Sequence, residues 1–150
     1  STWLGNKAIY RLRMAMADDG DLLVLAPGVR MCGEDRDNDV LIRRYGYHGT
    51  PHTLRLVEEV EEMRRNLSVA AHLIHGSSEG RFRIVYAAGG LTREEVESLG
   101  FGYADPAEVE RRYHPEKLRR GRNDVGGEEV FYVDNPALGL WALRRDFPDA

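Results

Sequence analysis

The sequence holds one cysteine in 150 residues. Cys32 has no internal partner for a disulfide, and no cysteine-based zinc pattern can be assembled from it. No apolar run approaches the roughly 20 residues that a membrane-spanning helix needs. The first residues lack the charged stretch and apolar core of a secretory leader. These absences predict a reducing, cytoplasmic setting and no membrane partner. Excess positive charge is missing too. The formal net charge is −4, which predicts no nucleic-acid partner. There is no internal repeat and no low-complexity linker. What remains is 42% hydrophobic and 31% charged, the balance of a globular chain, and 150 residues make about one domain, residues 1–150.

Helical and strand patterns alternate along the chain. Ala8, Ile9, Leu12, Ala15 and Met16 share one face, which predicts a helix over residues 6–17. It is preceded by Trp3 in an exposed, Gly-flanked loop and ended by Asp18, Asp19 and a left-handed Gly20. The apolar run at residues 22–26 reads as a buried parallel strand. Asp37 or Asp39 is expected to cap the short helix "VLIRRYG", and Thr50 the helix that carries Pro51 in its first turn. A further helix spans Leu67–His75, and "RFRIVYAAGG" is the second strand. Thr92 and Glu95 form a capping-box pattern at the next helix. A short strand in "FGYAD", a helix begun by Asp105 and Pro106, a last strand in "EEVFYVDN" and a tail complete the reading. The predicted fold is a three-layer α/β domain: a mostly parallel sheet of about four strands flanked by helices.

Several local strings invite chemistry and fall short of it. "GEDRDND" places Asp35, Asp37 and Asp39 at alternate positions, as a calcium loop begins. Val40 stands where that loop needs glycine, and Gly46 where it needs glutamate. Ser77 and Ser78 lack a nucleophile elbow. Gly89–Gly90 and Gly126–Gly127 sit in no phosphate-loop or dinucleotide fingerprint. "ERRYHPEKLRRGR" carries six Lys/Arg against two Glu, and as an alternative function it would make the chain a non-catalytic module that binds a protein partner or acidic ligand. His72 and His75, three apart in one helix, can ligate a metal or share acid–base work, although no third ligand lies near them in sequence. The same two histidines also suit the negative end of a helix dipole.

The first helix bears a second stripe of Lys7, Arg11 and Met14, with Tyr10 and Arg13 beside it. A guanidinium fork matches a carboxylate, so this face suits a small organic acid.

The segment order resembles one family. A Gly-flanked loop, "IYRLRM", "DGDLLVLAPG", "LIRRYGYHGT", "NLSVAAHLIHG" and "EEVFYVDNPALGLW" together resemble the C-terminal domain of the nickel-dependent lactate racemases. The resemblance covers nearly the whole chain. It implies a longer protein whose N-terminal domain, the partner of this one, holds a lysine-tethered nickel pincer nucleotide and metal-binding histidines. It also implies isomerisation of a hydroxy acid by reversible hydride transfer, with the C-terminal domain closing over the substrate. This chain by itself would bind no cofactor or metal, hold no catalytic residue and be inert. The family's Tyr-Gln-x-x-Lys motif falls on Tyr10, Arg11 and Met14. Its tyrosine is kept, while its glutamine and lysine are not. A methionine cannot hold a carboxylate, so the resemblance implies a 2-hydroxy acid other than lactate, clamped by Arg11 with Arg13 and Tyr10 in support. The family's aromatic residue near the later helix falls at Ser68, just before His72 and His75. The substrate-binding set implied is Tyr10, Arg11, Arg13, Met14, His72 and His75.

Overall fold

The structure, a computed structural model, describes residues 1–147. Strand β1 (Asp21–Ala26) runs parallel to β2 (Arg83–Ala88), and β2 runs parallel to the short β3 (Gly102–Tyr103). The chain reaches β2 from β1 through helices α3 (Arg36–Tyr45), α4 (Thr50–Glu59), α5 (Glu61–Arg65) and α6 (Leu67–His75). Helix α7 (Arg93–Ser98) links β2 to β3, and α8 (Pro106–Tyr113) follows. Parallel strands require such crossovers. Leu22 lies opposite Ile84 and Val24 opposite Tyr86, and all four are buried. They point to one face of the sheet, since residues two apart share a face. There they join Ile9, Ile42, Val69 and Leu73 in the core.

The first helix differs from the expected one. Residues Thr2–Gly5 form α1 and Lys7–Leu12 form α2, joined at Asn6. Trp3 is therefore helical and half-buried rather than exposed in a loop. Helix α2 stops at Leu12 instead of running to position 17 because its end is held from a distance. Arg81 donates to the carbonyls of Arg13 (3.2 Å) and Met16 (2.9 Å) and pairs with Asp18 (2.8 Å). Asp19, not Gly20, takes the left-handed conformation, with φ of 61°.

Two expected caps also shift. Asp35 caps α3 by accepting from the Asn38 amide at 2.8 Å. Asp39 instead accepts from the amides of Cys32 (2.5 Å) and Gly33 (3.1 Å) and pairs with Arg43 (2.7 Å), which ties the loop to the helix. Gly49 occupies the cap of α4, and Thr50 is its first residue, bound to the Glu79 carboxylate. The capping box of Thr92 and Glu95 and the cap by Asp105 form as the sequence predicts.

Among the described residues the parallel sheet has three strands, not four. The last strand, β5 (Glu128–Tyr132), pairs antiparallel with β4 (Gly121–Val125) in a separate hairpin. Gly126 and Gly127 close it with φ of 62° and 89°, the two positive values that a tight hairpin turn demands. Beyond it the tail turns at Pro136–Leu138 and packs against α2.

Candidate functional site

The break at Asn6 leaves the helical phase of α1 and α2 nearly continuous, with Asn6 itself near helical dihedrals (φ −69°, ψ −1°). Thr2, Asn6 and Ile9 form one stripe, fully buried against the core. Trp3, Lys7 and Tyr10 form the neighbouring stripe, one residue on. Helix α6 repeats the division. Val69, Ala70 and Leu73 enter the core, while Ser68, His72 and His75 follow one another at spacings of four and three along the other side. The two outward stripes face each other across a cleft of about 450 Å³. That volume suits a small molecule.

His72 is the most constrained group in the cleft. Trp3 stacks on its ring at 4.1 Å and 17°, and Tyr47 meets it edge-on. Burial pushes the His72 imidazole down to about 4, with His75 acting in the same direction and Glu34 against it. The ring is thus neutral at pH 7. Its Nε2 lies 2.9 Å from the Tyr47 hydroxyl, which lies 2.8 Å from Thr2 Oγ1. Thr2 Oγ1 in turn donates to the Cys32 carbonyl at 3.0 Å. Burial holds the Tyr47 phenol well above its ordinary range, so it keeps its proton. Tyr10 faces His75 with ring centroids 6.2 Å apart, and Lys7 brings the cleft a cation.

Of the six site residues expected from the sequence, the structure brings Tyr10, His72 and His75 together and leaves Arg11, Arg13 and Met14 out of the cleft lining. Met14 lies past the end of α2, where the helical spacing that would align it with Tyr10 no longer applies. Arg11 lies over Tyr10, its Cζ 5.5 Å from that ring's centroid, and its carbonyl accepts from the Trp141 amide at 2.9 Å. Its Nε is buried with no partner among the described residues, as is Nη1 of Arg13. Trp3 is a cleft residue that the sequence reading did not select, and Lys7 is one that it placed on the basic stripe but not in the substrate-binding set. The signal was the 3-7-10 spacing, hidden because the helix was expected to begin only at Asn6.

Other candidates lie outside the cleft lining. Among the described residues no group of three or more His, Cys, Asp or Glu is placed to hold a metal ion. Burial pushes the Cys32 thiol up to about 11, so it is neither a ready nucleophile nor a ready ligand. In the basic segment, Arg112 pairs with Glu128 (2.7 Å), Arg120 with Asp134 (2.8 Å), Arg122 with Glu129 (3.6 Å) and Arg111 with Glu108 (4.0 Å). Four of its six cations are thus engaged within the chain. No described helix is long and apolar enough to cross a membrane.

No family model matches the chain. No curated protein matches it either. Among solved structures it is similar to that of a protein from Thermotoga maritima, with a TM-score of 0.60 and 22% identity over 73% of this chain. The match takes in 28% of the Thermotoga chain, so this sequence spans about a quarter of that protein's length. At that identity the likeness shows the fold alone: a mixed α/β unit with a parallel sheet.

Proposed function

We propose that this chain is the substrate-covering domain of a larger cytoplasmic 2-hydroxy-acid racemase or epimerase of the nickel pincer type, with a substrate other than lactate. The observation that carries the reading is the meeting of Lys7, Tyr10, His72 and His75 in one cleft between the first helices and α6. It is the pair of segments that the family resemblance directs toward substrate. Lys7 replaces Arg11 as the carboxylate-holding group, because Lys7 lines the cleft and Arg11 does not. Its ammonium acts as a point charge on a flexible stem. Tyr10 supplies a hydroxyl, and Trp3 stacks on the His72 ring. The nickel pincer nucleotide, which would supply the hydride acceptor, belongs to the N-terminal domain. Among the described residues no group of His, Cys, Asp or Glu is placed to ligate its metal.

The test uses the full-length protein loaded with cofactor and a panel of 2-hydroxy acids, with enantiomer or epimer interconversion followed by chiral chromatography. At least one acid should interconvert, and Lys7→Ala should raise KM by about tenfold or more, the cost of losing a charge-assisted bond. Arg11→Ala should stay within a fewfold of normal. Failure of every acid overturns the reading, and a KM insensitive to Lys7→Ala removes Lys7 from it.

A further inference from the structure

A buried hydrogen-bond chain whose direction is fixed at one end runs from Cys32 through Thr2 and Tyr47 to His72, which lines the cleft. The Cys32 carbonyl can only accept, so Thr2 spends its single hydroxyl proton there. The 2.8 Å contact between Thr2 Oγ1 and the Tyr47 hydroxyl then needs the Tyr47 proton. With that proton spent, the 2.9 Å contact between Tyr47 and His72 needs a proton on His72 Nε2. The opposite order would keep two of the three bonds and set two unprotonated oxygens 3.0 Å apart at Cys32. A neutral imidazole has one proton, so Nδ1 is left with a bare lone pair. Nδ1 has no hydrogen-bond partner among the described residues and is not one of their orphaned buried atoms. It therefore reaches the cleft that His72 lines.

We infer that Thr2 and Tyr47 are positioning residues that lock His72 as its Nε2–H tautomer, so that Nδ1 accepts a hydrogen bond from the hydroxyl of a small hydroxy acid whose carboxylate is held by Lys7. The ligand class rests on the proposed function, whereas the tautomer lock stands independently of it. The lock gives the cleft an acceptor beside a cation, which distinguishes a 2-hydroxy acid from the same acid without its hydroxyl. An acid lacking that donor leaves Nδ1 desolvated and unpaired.

Long-range proton–nitrogen correlation spectra of the labelled chain at pH 7 read the tautomer directly. The native chain should show His72 with protonated Nε2 and bare Nδ1. The opposite pattern overturns the lock. Thr2→Val removes the acceptor for the Tyr47 proton, which is then free to turn to His72, so the tautomer should reverse. Thr2→Ser should keep the native pattern. A purely structural role would not move the tautomer, and an unchanged pattern in a folded Thr2→Val chain overturns the relay. If Thr2→Val does not fold, the native and Thr2→Ser spectra still decide the direction. Glycolate and acetate then serve as probes. Glycolate should bind about tenfold more tightly than acetate and shift the Nδ1 resonance, as one added neutral hydrogen bond allows. Equal binding, or no binding of either acid, overturns the ligand class. A hydroxyl preference in a parent protein that racemises nothing would leave this inference standing and sink only the enzymatic reading.

Discussion

His72 makes the fold sensitive to mild acid. Its imidazole is held near 4 in the folded chain, against about 6.5 for an unperturbed histidine, chiefly because burial disfavours the charged form. The unfolded chain therefore binds more protons between those values, and stability must rise with pH across that window. The contribution is present above pH 6.5 and lost as pH falls toward 4. Between pH 7 and pH 5 this residue alone should remove about 2 kcal/mol, measurable by urea unfolding at the two pH values. His48, lowered by burial and by His52, adds in the same direction. The share belonging to His72 is isolated by His72→Gln, which keeps a donor toward Tyr47 and has no titration; its stability should fall less steeply. An identical slope in native and variant chains would contradict the assignment. A second residue-scale test concerns Gly5. A Cβ there would sit 2.1 Å from the Tyr86 hydroxyl, so Gly5→Ala should cost about 1–3 kcal/mol through overpacking. The Tyr86 hydroxyl is itself buried without a partner among the described residues. Removing it with Tyr86→Phe should cost little and should relieve part of the Gly5→Ala penalty in the double variant. Additive thermal shifts would rule out the contact.

Elements whose ends are set by neighbouring residues were legible, and those set from far away were not. The capping box at α7 and the Asp105–Pro106 start of α8 are written within four residues, and both form. The helix Leu67–His75 matches its expected span because its apolar period and Gly76 are local. The end of α2 depends on Arg81, nearly 70 residues away, and on the tail, so the apolar pattern alone overran it. Arg81→Ala should remove donors from the Arg13 and Met16 carbonyls and the partner of Asp18. A cost of about 1–2 kcal/mol is expected, with the first amides to lose hydrogen-exchange protection lying in residues 13–18. Unchanged protection there would mean that the helix end is set by something else. The hairpin was half legible. Its second strand was expected within "EEVFYVDN", while the turn at Gly126–Gly127 went unread because the strand before it, "GRNDV", has little apolar content and pairs through its backbone.

At the scale of the whole molecule, the candidate site and the tail meet at the same short helix. Tyr10 and Lys7 of α2 line the cleft, while the α2 carbonyl at Arg11 accepts from Trp141 and the turn at Pro136–Leu138 packs against the helix. The sequence marked this helix as the place to look, through Tyr10 and its basic neighbours. It did not show which neighbours face the cleft, because that depends on a helix start at Thr2 and on a tail more than 120 residues away. Ending the chain after Asp134 separates the two roles. The helix loses the Trp141 amide that donates to its Arg11 carbonyl, and the half-buried Trp141 ring, which together should lower stability by about 1–3 kcal/mol in thermal or urea unfolding. The cleft residues remain anchored without the tail, because Thr2, Asn6 and Ile9 are fully buried in the core and His72 is tied to Tyr47 and Trp3. The shortened chain should therefore keep the native His72 tautomer and its preference for glycolate over acetate. Loss of both with the fold intact would show that the tail orders the cleft through α2, and Arg11 would then re-enter the site as the residue that transmits it.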